Sequence, residues 1–180
     1  MIGSSCTRHP NQEWTSAAPR AVWLAANWAL ELAFKKARDD NQILFGSEIL
    51  SGFGSGLTLM PRGSADRAFT KAFLDCFRGL EKQLAPDVID FRERVFYEFK
   101  TEGFAKEGAR QLSGYYRIAA GIVAEIGGPP WKQENAHWMP PETMLLPGDR
   151  NKQICTHLTN YSYSKGLILY AVWQGATTAK

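Results

Sequence analysis

The chain has 180 residues, 44% hydrophobic and 22% charged, enough for one domain with a sizeable core and typical of an ordinary soluble globular protein. Basic residues number 21 against 18 acidic ones, a formal charge of +3 that tolerates a nucleic-acid ligand without demanding one, since long basic runs are absent. No signal peptide opens the sequence, the apolar stretch Leu167 to Trp173 is too short to span a bilayer, and the widely spaced Cys6, Cys76 and Cys155 argue against a disulfide framework. The expectation is a soluble protein, either cytoplasmic or delivered into a target cell by a secretion system whose signal lies outside this chain.

Residues 1–20 read as an arm or linker, broken by Pro10 and Pro19, ahead of a single domain over 21–180. Ala21 to Arg38 is a predicted helix with Trp23, Leu24, Trp28, Leu30, Leu32 and Phe34 around most of its circumference. Its narrow polar stripe is Asn27, Glu31, Lys35 and Arg38. Glu31 has two readings there: an i,i+4 partner of Lys35 at the solvent edge, or an acid turned toward a metal site. Ser47 to Ser64 is rich in glycine and serine and reads as a loop with a short strand at Leu57 to Met60; it lacks the lysine and Ser/Thr of a phosphate-binding loop. Ala65 to Leu84 is helical, with Phe69, Ala72, Phe73, Cys76, Phe77 and Leu80 on one core face.

Val88 to Phe91 and Val95 to Phe99 read as two strands of a hairpin around a tight turn at Arg92-Glu93. Phe104 to Ile126 is again helical, with Leu112, Tyr116, Ala119, Val123 and Ile126 as its buried stripe, and Gly127-Gly128-Pro129-Pro130 ends it. The stretch to Ser164 is rich in loops, with a strand at Gln153 to Leu158, and Gly166 to Trp173 is a buried strand that completes the sheet. Together these elements predict an α/β (α+β) fold: a central mixed sheet of about four to five strands with helices on both faces.

The hairpin carries the chemistry. Strand side chains alternate, so Glu98 and Lys100 share a face, and cross-strand register sets Asp87 opposite Glu98 on that face. Asp90 falls on the other face and is the weaker candidate. Two carboxylates bind hard divalent cations through oxygen, and a neighbouring lysine can stabilise charge developing on a phosphate or help to activate water. Lys106, Arg110 and Arg117 lie near the motif and could track phosphates. The alternative is a solvated strand face with an ordinary ion pair. Cys155, His137 and His157 lack partners at zinc-ligand spacing, and Trp131, Trp138 and Trp173 read as core.

Pro86-Asp87 followed by Glu98-x-Lys100 resembles the PD-(D/E)xK nuclease superfamily, and Gln111-Leu-Ser-Gly-Tyr115 is similar to the Q-x-x-x-Y element of its RecB-like members. The match covers roughly residues 86–117. Glu98-Phe-Lys-Thr101 with Gln111-Leu also resembles the restriction-endonuclease-like toxin domains of bacterial polymorphic and secreted effectors. The resemblance implies a restriction-endonuclease-like core and Mg2+- or Mn2+-dependent hydrolysis of DNA. Under it Asp87 and Glu98 ligate the metal, the backbone carbonyl of Phe99 completes the coordination and Glu31 is an additional acid. Lys100 polarises phosphate or water, Gln111 and Tyr115 position substrate or the lysine, and Arg110, Lys106 and Arg117 contact substrate. A toxin role would bring a cognate immunity protein as partner; a catalytically silent binding module and a repair or phage recombination nuclease are the alternatives.

Overall fold

The computed structural model describes residues 13–14, 20–38, 42–46, 64–77, 85–141, 143–146, 154–157 and 164–174. In chain order these form β1 (Glu13–Trp14), α1 (Arg20–Ala37), β2 (Ile43–Phe45), α2 (Ser64–Phe77), β3 (Val88–Asp90) and β4 (Val95–Thr101). They continue with α3 (Ala105–Ile126), β5 (Thr143–Leu146), β6 (Ile154–His157) and β7 (Leu167–Gln174). Short 3-10 turns cover Glu102–Phe104 and Gln133–Asn135.

The sheet is mixed. Its strands run in the order β2-β3-β4-β7-β6-β5, and β1 pairs with β7 off this path. The four strands that frame the hairpin are antiparallel from β2 to β4, and β4 is parallel to β7. β7 is buried on both faces from Leu167 to Tyr170, as expected of a strand enclosed between layers. Gly166 admits it: with φ at 83°, and with an added Cβ falling 2.5 Å from the carbonyl oxygen of Phe96, only glycine lets the chain enter so close to β4. The Gly166 carbonyl then accepts the Glu98 N–H at 2.9 Å.

Side-chain alternation sorts the core into two layers. Ala26, Leu30 and Phe34 of α1 cover Val88, Tyr97, Phe99, Ile168 and Tyr170 on one face. Phe69 and Phe73 of α2, with Leu112, Tyr115, Ala119 and Ile122 of α3, cover Ile89, Phe96, Leu167 and Leu169 on the other. In the second layer Trp131 stacks between Phe69 and Phe96, with ring centroids 4.5 and 4.6 Å away.

Several expectations change in detail. The buried stripe of α3 is Gly108, Leu112, Tyr115, Ala119 and Ile122, so the helix is rotated from the expected face: Tyr116 and Val123 are half-buried and Ile126 is exposed. Cys76 is exposed rather than core, because α2 turns Phe69, Thr70 and Phe73 inward. On α1 only one side is covered, and Leu24, Trp28 and Leu32 stay exposed. The hairpin turn spans four residues, Phe91 to Arg94, rather than a tight two-residue turn. β2 and β5 add strands that the sequence reading lacked. The expected strand at Leu57 to Met60 lies outside the described residues.

Candidate active site

The hairpin register pairs Val88 with Tyr97, Ile89 with Phe96 and Asp90 with Val95. One step further along this ladder sets Asp87 across from Glu98, as the sequence predicts. The two acids of β3 part company here. Asp90 turns to the α1 side, where its Oδ1 accepts the N–H groups of Arg92 and Glu93 at 3.0 Å each and its Oδ2 pairs with Arg38 Nη1 at 2.8 Å. It caps the turn in which Arg94 takes a φ of 55°. Asp90 is therefore a structural acid.

Asp87 stands one residue before β3. Its main chain is clamped by the end of β2: the Gly46 N–H donates to the Asp87 carbonyl at 2.7 Å, and a Cβ on Gly46 would stand 2.9 Å from the Pro86 carbonyl oxygen. Its side chain accepts the Phe99 N–H at Oδ2, 2.6 Å away. In an antiparallel pair the N–H and C=O of one residue point to the same side, so the Phe99 carbonyl is directed toward the β3 side of β4, beyond the last paired residue, Val88.

Glu98 is 1% exposed. Lys100 Nζ lies 2.5 Å from its Oε1. The Tyr115 hydroxyl is close enough to act on the same carboxyl, yet among the described residues no donor reaches Oε2 in hydrogen-bonding geometry. Tyr115, which is not in the stripe expected to be buried, is buried and faces Glu98 directly. Gly108 lets α3 lie on the aliphatic stem of Lys100.

The electrostatics follow from enclosure. Burial, then the neighbouring Glu98 charge, holds the Asp87 carboxyl well above the usual range against the pull of Lys100 and the Phe99 N–H. Burial also raises Glu98, opposed by Lys100. Burial works to lower Lys100, but attraction to Glu98 and Asp87 outweighs it and the ammonium is favoured. The phenol of Tyr115 is pushed far up by burial and the adjacent carboxylates. Two acids and one base thus share a poorly solvated space. Such a grouping costs stability unless something compensates its charge.

The opposite layer also reaches this space. The Glu31 charge on α1 adds to the raising of Asp87, behind burial, Glu98, Lys100 and the Phe99 N–H in size. Tyr170 on β7 also feels Asp87, and its hydroxyl donates to Asn27 Oδ1 at 3.0 Å. Neither Tyr170 nor Asn27 was singled out from sequence: Tyr170 sits in an apolar strand run, and Asn27 was legible only as part of the α1 polar stripe. Glu107, also missed, lies near enough to favour the Lys100 ammonium.

Other expected residues stand further out. Gln111 donates Nε2 to Glu107 Oε1 at 3.4 Å and keeps a buried Oε1 with no hydrogen-bond partner among the described residues, so it adjoins the lysine through Glu107. Lys106, Arg110 and Arg117 are exposed on the outer side of α3, turned from its buried stripe. Trp131 and Trp138 are buried as expected, and His137 is exposed.

Among the described residues no group of three or more His, Cys, Asp or Glu is gathered as a metal cage. What the hairpin offers is oxygen: the carboxylates of Asp87 and Glu98, with the Phe99 carbonyl directed toward the β3 side of β4. The chemistry of that set fits a hard divalent cation, and Glu98 Oε2 is a buried acceptor in want of a positive partner. Also among the described residues, no helix is long and apolar enough to cross a membrane. Comparison with family models, with curated proteins and with solved structures finds no match for this chain.

Proposed function

We propose that this chain is a divalent-metal-dependent nuclease with a restriction-endonuclease-like core, hydrolysing DNA phosphodiester bonds. The observation that carries the reading is the trio of Asp87, Glu98 and Lys100, in which Asp87 accepts the Phe99 N–H and Lys100 pairs with the buried Glu98. Asp87, Glu98 and the Phe99 carbonyl would hold Mg2+ or Mn2+, with Glu31 contributing charge. A cation there supplies Lewis acidity toward a phosphate oxygen and lowers the pKa of the attacking water. The chain's own residues do the rest. Lys100 stays an ammonium beside the carboxylates, where it can meet charge building on the phosphate. Tyr115 keeps its proton and can donate to Glu98, and Gln111 borders the lysine through Glu107.

The purified protein is expected to degrade DNA with Mg2+ or Mn2+ and to stop in EDTA. Cleavage that persists in excess chelator overturns the metal-dependent mechanism. A second reading, a catalytically silent binding module of the same fold, draws on the short Lys100–Glu98 contact, which already neutralises one carboxylate. Metal-supplemented protein that cleaves neither single- nor double-stranded DNA would favour it. The biological setting we propose is an antibacterial effector toxin neutralised by a cognate immunity protein. Growth arrest on expression in a bacterial host, relieved by co-expression of the adjacent reading frame, is its test.

A further inference from the structure

The polar stripe of α1 does not end at the carboxylates. Arg38 pairs with Asp90 at the hairpin turn, Glu31 acts on Asp87, and Asn27 accepts from Tyr170. One further turn along the same stripe stands Trp23. On the other side of the site, β4 runs out past Lys100 and Thr101 into the 3-10 turn whose last residue is Phe104. The two rings meet, with centroids 6.3 Å apart and planes at 73°. An edge-to-face pair therefore joins the two elements that deliver Glu31 and Lys100.

The pair is no part of the core. Phe104 is 40% exposed, Trp23 is half-buried, and neither belongs to the two buried clusters. Two rings near a right angle form a corner in which a third planar group can lie flat on one face with its edge toward the other. The flanking charges, Glu102, Lys106 and Glu107, do not sum to a basic patch, so the corner offers ring faces rather than an anion site. At about 1.5 Å per helical residue, Trp23 lies about 12 Å along α1 from Glu31. The corner therefore lies about two helical turns along α1 from Glu31 and just past the end of the strand that carries Glu98 and Lys100.

We propose that Trp23 and Phe104 form a base-stacking subsite, and that the substrate is engaged as a single strand whose unpaired base lies on these rings. A base inside a duplex is covered on both faces by its neighbours, so only an unstacked base can use the corner. The proposal rests on the nuclease reading and deepens it by naming the form of the substrate.

The test separates base from backbone. The probes are a short oligothymidylate and an abasic oligomer of the same length and phosphate count, bound in Ca2+ and followed by tryptophan fluorescence. Wild-type protein should bind oligothymidylate more tightly and show quenching with it alone. Phe104→Ala should weaken oligothymidylate binding roughly ten-fold or more, within the range seen for single stacking platforms, and leave the abasic oligomer unaffected. Phe104→Trp should restore affinity. Phe104→Ala loses the ring pair with Trp23 and should lower the thermal midpoint by about 1–6 °C, leaving the protein folded at the assay temperature, while Phe104→Trp should match wild type. Equal affinity of wild type for the two probes, or an equal loss for both in Phe104→Ala, overturns the subsite while Mg2+-dependent cleavage, measured in parallel, leaves the nuclease reading standing. Failure to bind either probe together with absence of cleavage overturns both.

Discussion

Asp87 and Asp90 are three residues apart on one short strand, yet their removal should move stability in opposite directions. Asp90 accepts two turn N–H groups at 3.0 Å and holds Arg38 at 2.8 Å. Losing the two bonds costs about 1 kcal/mol each. Arg38 is 29% exposed, so its stranded charge can reach water and the ion-pair loss falls below the roughly 3–5 kcal/mol of a fully buried pair. Asp90→Ala should therefore cost about 3 kcal/mol, which for a domain of this size lowers the thermal midpoint by about 6–12 °C. Asp87→Asn has the reverse sign. It keeps an acceptor for the Phe99 N–H and removes a carboxylate that burial and Glu98 disfavour, so the metal-free midpoint should hold or rise while cleavage is abolished. The assay is thermal unfolding in EDTA beside cleavage rate in Mg2+ for both variants. Asp90→Ala should retain most of its activity at temperatures where it is folded. An Asp90→Ala protein of undiminished midpoint that no longer cleaves, or an active Asp87→Asn, would refute the assignment of the two acids.

The pH dependence should follow from the same carboxyls. Asp87 and Glu98 both have folded-state pKa values above their unfolded ones, so their stabilising contribution is present below the unfolded range near pH 4 and is lost as pH rises through the raised values. In EDTA, the midpoint of wild type relative to Asp87→Asn should thus fall from mildly acid pH toward neutrality; a difference constant across that range would contradict the electrostatic account. Gly46→Ala should lower the cleavage rate by roughly a hundred-fold in a protein that still folds, because the new Cβ meets the Pro86 carbonyl at 2.9 Å and shifts Asp87. A folded Gly46→Ala protein with wild-type rate would show that β2 does not set the carboxylate's place.

The hairpin was legible because period-two alternation needs only the local chain: once Val88 and Tyr97 pair, the facing of Asp87, Glu98, Lys100 and Asp90 is settled. Helix α3 was harder. Its apolar positions permit two neighbouring stripes, and the choice of Tyr115 over Tyr116 for the buried face depends on Glu98 and Phe73, partners that sequence periodicity does not reveal. Cys76 failed for the same reason, since the buried face of α2 is set by where Phe69 and Phe73 meet Trp131 and Phe96. β2 is a three-residue strand with no alternation to display, buried along its length. The influence of Glu31 on Asp87 was only half visible: the polar stripe could be read, but not which acid its charge would act on.

The parallel pairing of β4 with β7 sets an order of events in time. Asp87, Glu98, Lys100 and Tyr115 all come from one contiguous stretch of hairpin and helix, whose contacts close short loops at small entropic cost. β7 joins Glu98 to Leu167 from far along the chain, and low-contact-order elements are expected to nucleate before such distant ones. While β7 is away, water reaches the hairpin and its carboxylates ionise as ordinary acids. The energetic burden of gathering them therefore falls after the folding nucleus has formed, where it speeds unfolding rather than slowing folding. A chain built this way is quick to assemble its chemical groups and spends its stability only on the last step that seals them.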